Sequence, residues 1–327
     1  MNNSDITIRD YLSPNAQVHF DDIVTQRVLG ASAHIKMISQ MIEDLCITAK
    51  SKNESSACLH EKIHQLANYF IKTRGEASQA ITNAIVMMTN GIDELTDHNV
   101  DSYTDFIQQK MNDFEVRNQK NLALINQYAS SILTNMNSVL LFDYSSTVGK
   151  MIETCDHPLE IFIAESRAFD GGKPYIPQAI KGHHEIHFIP DVAIFYYLKK
   201  CDGVFIGAET FTPDGKVYNT IGTEMVAHLC NTLEVPFYIL TTLVKIDMRS
   251  VYGYNKQLPT LDLRERILAN IDDATKHQID VSCPEVVEIP SKWITAFITE
   301  VGIVPPSAIY QLSTTYLKEN GVIIKHA

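Results

Sequence analysis

The second half of the chain alternates short apolar runs with polar loops, and this alternation restricts the fold most. Beyond Ser138 the runs VLLFDY, EIFIAES, EIHFIP, GVFIGAE and PFYILT are rich in β-branched and aromatic residues. Helical patterns follow several of them, at Val148–Thr154, Asp191–Lys200 and Glu224–Leu233. Near-continuous apolar strands that alternate with helices are typical of a parallel sheet buried on both faces. We therefore predict a doubly wound, mainly parallel α/β sheet over residues 138–327.

The first half reads as a succession of helices. Apolar residues recur at helical spacing in four segments: Asp22–Ala49, His60–Lys72, Ala77–Leu95 and Asp101–Asn137. Proline, which breaks helices, is absent between Pro14 and Pro158. We predict a helical N-terminal domain over residues 1–115 and a connecting helix over 116–137. Near the C-terminus, a further helix is expected at Lys292–Val301.

Composition excludes several classes of function. The formal net charge of -12 argues against nucleic-acid binding, which needs a basic surface. There is no signal-peptide pattern and no apolar run of about 18 residues, so no membrane association is expected. The six cysteines are scattered without a CxxC pair, as in a protein of the reducing cytoplasm. We predict a cytoplasmic protein.

Three histidines, His183, His184 and His187, form an HHxxH pattern. The pattern lies at a loop-to-strand boundary, lacks the helical His-x-x-x-His face, and has no carboxylate pair near it in sequence. We therefore predict no metal site, and no cofactor is expected either.

The carboxyl ends of parallel strands line the ligand crevice in open α/β sheets, so the residues after each strand are the candidates for a site. After the first strand come Asp143, Tyr144, Ser145 and Ser146. The serine hydroxyls at this helix start either hold a phosphate or cap the helix. After the second strand, Arg167 either binds a phosphate bidentately or pairs with Glu165 at the surface.

The fourth strand delivers Glu209 into a polar loop that contains glycine. That loop then supplies Asn219, Thr220, Gly222 and Thr223 just before a helix. Backbone N–H groups and short hydroxyls at a helix start stabilise an anion, while a carboxylate accepts hydrogen bonds from sugar hydroxyls. This combination predicts a sugar phosphate as ligand.

Two N-terminal segments are also candidates for ligand binding. The segment Gly30, Ala31 and Ser32 interrupts a helical region, and Arg74 precedes another helix start. Because glycine is unfavourable within a helix, either position can mark a helix start that faces a ligand. Simple helix packing is the alternative.

Several of these motifs together resemble one family. The series ESR (Glu165–Arg167), GAE (Gly207–Glu209), NTIGT (Asn219–Thr223), PFYIL (Pro236–Leu240) and VVEIPSKWITAFITEVGI (Val286–Ile303) is similar to a family of regulatory subunits and isomerases. That family joins the alpha, beta and delta subunits of translation initiation factor two-B to ribose-bisphosphate and methylthioribose-phosphate isomerases. The resemblance implies a helical domain over a Rossmann-like domain, a small phosphorylated sugar or nucleotide bound between them, and a homodimer or larger homo-oligomer.

The resemblance also implies catalytic residues, and this sequence departs from them. The isomerases use a cysteine after the first strand and an aspartate in the GAE position, where this chain has Tyr144 and Glu209. The lysine that usually follows the asparagine is Thr220 here. These departures favour a regulatory-type ligand-binding protein. The alternative is an aldose-ketose isomerase that uses Glu209 as acid/base, with Tyr144 or Asp143 in place of the cysteine.

Overall fold

The computed structural model describes residues 8–25, 27–28, 30–258 and 260–322. These residues form two compact units. One contains the described residues up to Lys120 and from Thr314 onward, and the other is Asn121–Ser313. No helix within the described ranges is both long enough and apolar enough to cross a membrane. Each of the six cysteines is a free thiol.

Helices build the first unit. Their bounds are α1 Pro14–Val24, α2 Ala31–Lys52, α3 Ser56–Phe70, a π-helical turn Ile71–Gly75, α4 Gln79–Thr89 and α5 Val100–Leu133, which continues into the second unit. The first helix begins where the Ser13 side chain accepts a hydrogen bond from the Ala16 N–H, with Pro14 at the first helical position. Apolar side chains spaced three and four residues apart on these helices are fully buried, among them Ile38, Ile42 and Ile63.

Strands and helices alternate in the second unit. In chain order they are β1 Ser138–Leu141, α6 Ser146–Glu153, β2 Glu160–Ala164, α7 Tyr175–Lys181, β3 Glu185–Ile189, α8 Ile194–Leu198, β4 Gly203–Ile206, β5 Thr210–Phe211, β6 Val217–Thr220, α9 Thr223–Leu233, β7 Phe237–Leu240, β8 Thr260–Asp262, α10 Arg264–Ile267, α11 Asp273–Lys276, β9 Ser282–Pro284, β10 Val286–Ile289, β11 Ala296–Thr299, β12 Gly302–Val304 and α12 Ile309–Glu319, whose last residues belong to the first unit.

The central sheet has seven strands in the order β12-β11-β7-β4-β1-β2-β3. All neighbours are parallel except β11 and β12. Every residue of β1 and of β4 is buried, as expected for central parallel strands. The chain runs outward from β1 in one direction and from β4 in the other, so the order reverses between these two strands. This mixed α/β architecture, with a helical N-terminal region and a mostly parallel sheet, confirms the predicted fold class.

A second, antiparallel sheet of order β10-β6-β5 lies beyond the carboxyl end of β4 in the chain. In it β6 pairs with β10, Thr220 opposite Val286. A separate pair, β8 with β9, is also antiparallel.

The prediction of a helix over Lys292–Val301 is wrong. Only Ser291–Trp293 is helical, as a short 3-10 turn, and the following residues form β11. The segment ITAFIT is rich in β-branched residues, and β11 is buried in every position between β7 and β12. This segment therefore forms a strand paired with β7 and β12 and not the predicted helix.

A buried carboxylate follows β11. Glu300 accepts hydrogen bonds from the backbone N–H of Leu243, at 3.1 and 3.0 Å, and from the Asn121 side chain at 3.3 Å. Burial raises the pKa of Glu300 from 4.5 to about 7, against the opposing effect of these backbone donors. The folded protein therefore binds this proton more tightly than the unfolded chain does.

Glu300 should make the protein less stable as pH rises. Because its pKa is raised on folding, its contribution to the free energy of unfolding is largest below about pH 4.5 and is lost as pH rises to about 7. Glu300→Gln removes this dependence, so the variant should gain stability relative to wild type, by up to about 3 kcal/mol, between pH 5 and pH 8. Denaturant unfolding at several pH values measures the difference. Glu319→Gln, at an exposed position of α12, is the control and should follow wild type; equal pH dependence of Glu300→Gln and wild type would contradict the assignment.

Candidate functional site

The loop after β1 is held in place by a buried phenol. The hydroxyl of Tyr175, on α7, donates to the carbonyl of Asp143 at 2.7 Å and accepts from the N–H of Ser145 at 2.9 Å. Tyr175 is fully buried, and Asp143 has a φ of 55° in the left-handed region. Such a backbone conformation is unusual outside glycine and persists when its surroundings fix it. The two hydrogen bonds therefore fix where the Asp143 carboxylate lies.

The Asp143 carboxylate is mostly enclosed. Its Oδ2 accepts from the Thr220 hydroxyl at 2.7 Å, and its Oδ1 lies 2.3 Å from where a Cβ on Gly171 would be. Burial raises the pKa of Asp143 to about 6, with a smaller increase from the charge of Glu209, while the Thr220 hydrogen bond opposes both. A carboxyl group with this pKa exchanges protons near neutral pH, as an acid/base group must.

Glu209 lies in the loop after β4, which contacts the loop after β1. A Cβ on Gly207 would be 2.7 Å from both Cβ and Oγ of Ser145, so only glycine permits this approach of the two loops. The Glu209 N–H donates to the carbonyl of Tyr218 at 3.0 Å, which joins the same loop to β6. The Glu209 side chain itself is exposed. It is thus free to accept hydrogen bonds from a ligand.

Two further charged residues belong to this region, and sequence reasoning missed both. Burial and the charge of Glu209 raise the pKa of Glu285, whose carbonyl accepts from the Ile221 N–H at 3.0 Å. The Lys245 ammonium donates to the carbonyl of Ala208 at 2.7 Å, directly before Glu209. Both residues lie far along the chain from the GAE motif. The pairing of β10 with β6 and the turn after β7 bring them to it, which no local pattern predicts.

The segment Asn219–Thr223 leads into α9 and includes its first residue. Asn219 and Thr223 are buried, and the Asn219 side chain donates to the Thr223 hydroxyl at 3.1 Å. Gly222 precedes α9 with a φ of +95°, and a Cβ there would lie 2.7 Å from the ring of Phe142. As the N-cap residue of this helix, Gly222 has no side chain that could cap it. Its first N–H groups and its dipole therefore remain available to an anion.

The three residues after Asp143, which are Tyr144, Ser145 and Ser146, differ in their contacts and exposure. The Ser145 hydroxyl accepts from the Val148 N–H at 3.4 Å and caps α6, which agrees with the capping interpretation. Ser146 is exposed. The Tyr144 hydroxyl accepts from the Gln178 amide at 3.2 Å, and its ring packs on Tyr175 with centroids 5.2 Å apart.

The loop after β2 is fixed by Asp191, which accepts from the N–H of Ser166 at 2.9 Å and of Arg167 at 2.8 Å. The Arg167 side chain is exposed and makes no hydrogen bond or ion pair with any residue that the structure describes. The Ser166 hydroxyl is buried without a partner among the described residues, 3.1 Å from a Cβ position on Gly171. Gly171 also borders Asp143, so this loop closes one side of the same region.

The N-terminal candidates lie in the other compact unit. Gly30, with a φ of +93°, precedes Ala31 and Ser32 at the start of α2, and as the N-cap residue it has no side chain to cap that helix. Arg74 donates through Nη2 to the carbonyls of Ile23 at 2.6 Å and Val24 at 2.9 Å. One Arg74 nitrogen is therefore committed to the end of α1, while Nε is buried without a partner in the described residues.

Comparison with known proteins places this arrangement in a family. The model of the Initiation factor 2 subunit family matches residues 31–306 of the chain. The chain belongs to this family. The resemblance inferred from its sequence motifs is thereby confirmed.

Relatives in the family have different activities. The ribose 1,5-bisphosphate isomerase of Methanocaldococcus jannaschii is 22% identical over 303 residues, covering 91% of this chain and 94% of that protein. The translation initiation factor eIF2B subunit alpha of Caenorhabditis elegans is 22% identical over 208 residues, covering 63% of this chain and 66% of that protein. Among solved structures, the 5-methylthioribose 1-phosphate isomerase of Pyrococcus horikoshii OT3 superposes with a TM-score of 0.73 at 19% identity, covering 95% of this chain and 87% of that one. This last likeness establishes a shared fold.

Gly207→Ala should destabilise the protein by separating the two loops. The added methyl group would lie 2.7 Å from Ser145 Cβ, so we expect a cost of about 1–3 kcal/mol. Ser145→Gly removes the clashing atoms, and the double variant should recover part of that loss. Denaturant unfolding of the four proteins in a double-mutant cycle measures this coupling. Additive effects of the two substitutions would rule out the contact as the cause.

Proposed function

We propose that this chain binds a phosphorylated sugar or a nucleoside monophosphate at the carboxyl edge of its sheet, as a regulatory-type member of its family. The observation that supports the proposal is the contact of three loops, after β1, β4 and β6. The Asp143 carboxylate accepts from Thr220, two residues before Gly222 at the start of α9, and the backbone of Gly207, which leads to Glu209, lies against Ser145. A ligand with hydroxyl groups at one end and a phosphate at the other is complementary to this combination.

The charged groups around the site determine the orientation that we propose for the ligand. Asp143, Glu209 and Glu285 influence one another electrostatically, so a phosphate beside them would meet repulsion. The start of α9 favours negative charge through its N–H groups. The proposal therefore assigns the sugar hydroxyls to the carboxylates, and the phosphate to Gly222 and Thr223 with Arg167 as its cation. A homodimer is the assembly that we propose for this function.

Tyr144, at the position where the isomerases carry a cysteine, supports ligand binding without isomerisation. The sequence resemblance puts Tyr144 at the cysteine position, and no cysteine occurs between Cys58 and Cys155. The Tyr144 phenol lies half-exposed against Gln178. A phenol is a weaker acid than a thiol and replaces it poorly in proton transfer.

An isomerase is the second candidate, and Asp143 favours it. Its carboxyl group has a pKa of about 6 and is adjacent in sequence to Tyr144. With Glu209 it forms a pair of carboxyl groups in different environments, one enclosed and one exposed. Such pairs are used for general acid/base chemistry, since their environments separate their pKa values. In this candidate Asp143 carries the proton of C2 of the sugar to C1, while Glu209 protonates the ring oxygen as its bond to C1 breaks and takes up the proton of the C2 hydroxyl.

Ligand binding should raise the melting temperature. A panel of phosphorylated pentoses, hexoses, heptoses and nucleoside monophosphates, each at about 100 times its Kd, should stabilise the protein by about 2.7 kcal/mol if it binds. Glu209→Gln should weaken binding about tenfold or more, because a charged hydrogen-bond acceptor is lost. Glu94→Gln, an exposed change of the same charge in the first unit, is the control and should bind as wild type does. No stabilisation by any compound of the panel would refute the proposal.

Exchange of carbon-bound protons of the sugar with solvent distinguishes a ligand-binding protein from an isomerase. Bound ribose 1,5-bisphosphate in deuterated water should keep its carbon-bound protons if the chain only binds it, as followed by NMR. If the chain is an isomerase, deuterium should enter at a rate that rises with pH through about 6, because Asp143 must be deprotonated to act as a base. Asp143→Asn should then abolish the exchange. Exchange that persists in Asp143→Asn would exclude the role assigned to this carboxylate.

A further inference from the structure

An unusual pair of glutamates lies at the opposite end of the sheet from the candidate site. In the parallel pairing of β2 with β3, Glu160 is directly opposite Glu185. Like charges in such cross-strand positions destabilise a sheet. His187 is two residues beyond Glu185 on β3, so its side chain lies on the same face of the sheet. All three side chains are at least partly exposed, at 39%, 74% and 36% for Glu160, Glu185 and His187.

The His187 imidazole lies against both carboxylates. Its Nε2 is 3.2 Å from Glu160 Oε1 and 3.4 Å from Glu185 Oε1. The same nitrogen is shielded from solvent and makes no hydrogen bond to any described residue, because neither oxygen lies in the direction that a hydrogen bond requires. One donor atom from each residue falls within 4.8 Å of the other two. The histidine nitrogen is thus near two anions without being bonded to either.

These separations match metal coordination. Zn²⁺ binds histidine nitrogen and carboxylate oxygen at about 2.0–2.1 Å with tetrahedral geometry, which puts neighbouring donor atoms about 3.3 Å apart. The two distances from Nε2 lie on either side of this value. A cation between the three side chains would also neutralise the glutamate pair.

The imidazole ring is already held in this position. It stacks on Phe162, with centroids 4.9 Å apart and an interplanar angle of 17°. Phe162 is opposite His187 in the strand register and is fully buried, so its ring cannot move freely. A metal ion would therefore not have to order this ligand on binding, which favours affinity.

We propose that Glu160, Glu185 and His187 bind a divalent transition-metal ion such as Zn²⁺, with water completing the coordination. Imidazole with carboxylate ligands suits zinc and its neighbours in the first transition row. The bound ion fastens β3, the edge strand of the sheet, to β2. The proposal departs from the sequence expectation of no metal site at the HHxxH segment, because the second carboxylate comes from Glu160 on a different strand.

Other histidines of the second unit are less suited to the role. His184 accepts from the Leu159 N–H at 3.1 Å and donates to the Ile152 carbonyl at 2.6 Å, so both of its nitrogens have partners. His157 lies beside Cys155 and Asp156 in a second group with ligand spacing. Its Nδ1 is 2.9 Å from Asp156 and its Nε2 is 3.1 Å from the Met136 carbonyl, so binding metal there would break existing hydrogen bonds.

Zinc binding to the untagged full-length chain tests the proposal. After treatment with a chelator, equilibrium dialysis against Zn²⁺ should show about one ion per chain, and saturating Zn²⁺ should raise the melting temperature by several degrees. Glu160→Gln and His187→Gln should each weaken binding about tenfold or more while the metal-free variants still fold, as checked by circular dichroism.

His183→Asn is the matched control. This exposed histidine lies four residues from His187 in a left-handed conformation that asparagine tolerates, so zinc affinity should not change. Zinc affinity that persists in His187→Gln and is lost in Cys155→Ser would place the ion at Cys155 and overturn the proposal. Absence of zinc binding by the wild-type chain would also overturn it.

Discussion

The hydrogen bonds of one buried phenol support the arrangement of the candidate site. Tyr175 bridges the carbonyl of Asp143 and the N–H of Ser145, and it satisfies its own hydroxyl by doing so. Both ends of a sharp loop are thereby tied to α7, so Asp143 can keep a left-handed backbone. Its carboxylate then meets Thr220, and Ser145 meets Gly207. The loops after β4 and β6 are thus positioned against a loop that Tyr175 fixes.

The strands of the parallel sheet could be predicted because strands buried on both faces consist mostly of apolar residues. Apart from Ser138, the residues of β1 and β4 are apolar, and every position of both strands is buried. The same reasoning failed at β11, where a run bounded by prolines also fits one buried helix. Length and apolar content cannot distinguish the two; only pairing with β7 and β12 decides.

The site could be predicted in part for a related reason. Asp143 and Glu209 follow strands directly, so the rule that ligands bind at the carboxyl ends of strands finds them. Glu285, Lys245 and Tyr175 follow no such rule. Glu285 directly precedes β10, the strand paired with β6, Lys245 lies in a turn, and Tyr175 begins a helix, where aromatic residues usually indicate core packing. Their roles depend on contacts between distant segments, which a single sequence does not specify.

Two departures from the isomerase pattern are physically linked. The lysine expected at position 220 would place an ammonium group near Asp143, since the shorter Thr220 already reaches that carboxylate. An ammonium within ion-pair distance lowers the pKa of a carboxyl group. With threonine, a single hydrogen bond is the main opposition to burial and to Glu209, and the pKa of Asp143 rises to about 6. Thr220 in place of lysine therefore leaves Asp143 as a carboxyl group able to exchange protons near neutral pH. The proposed binding role and the proposed isomerase role are linked at this position, because the residue that takes the place of a cation beside the ligand also sets the pKa of the carboxyl group that the isomerase candidate uses.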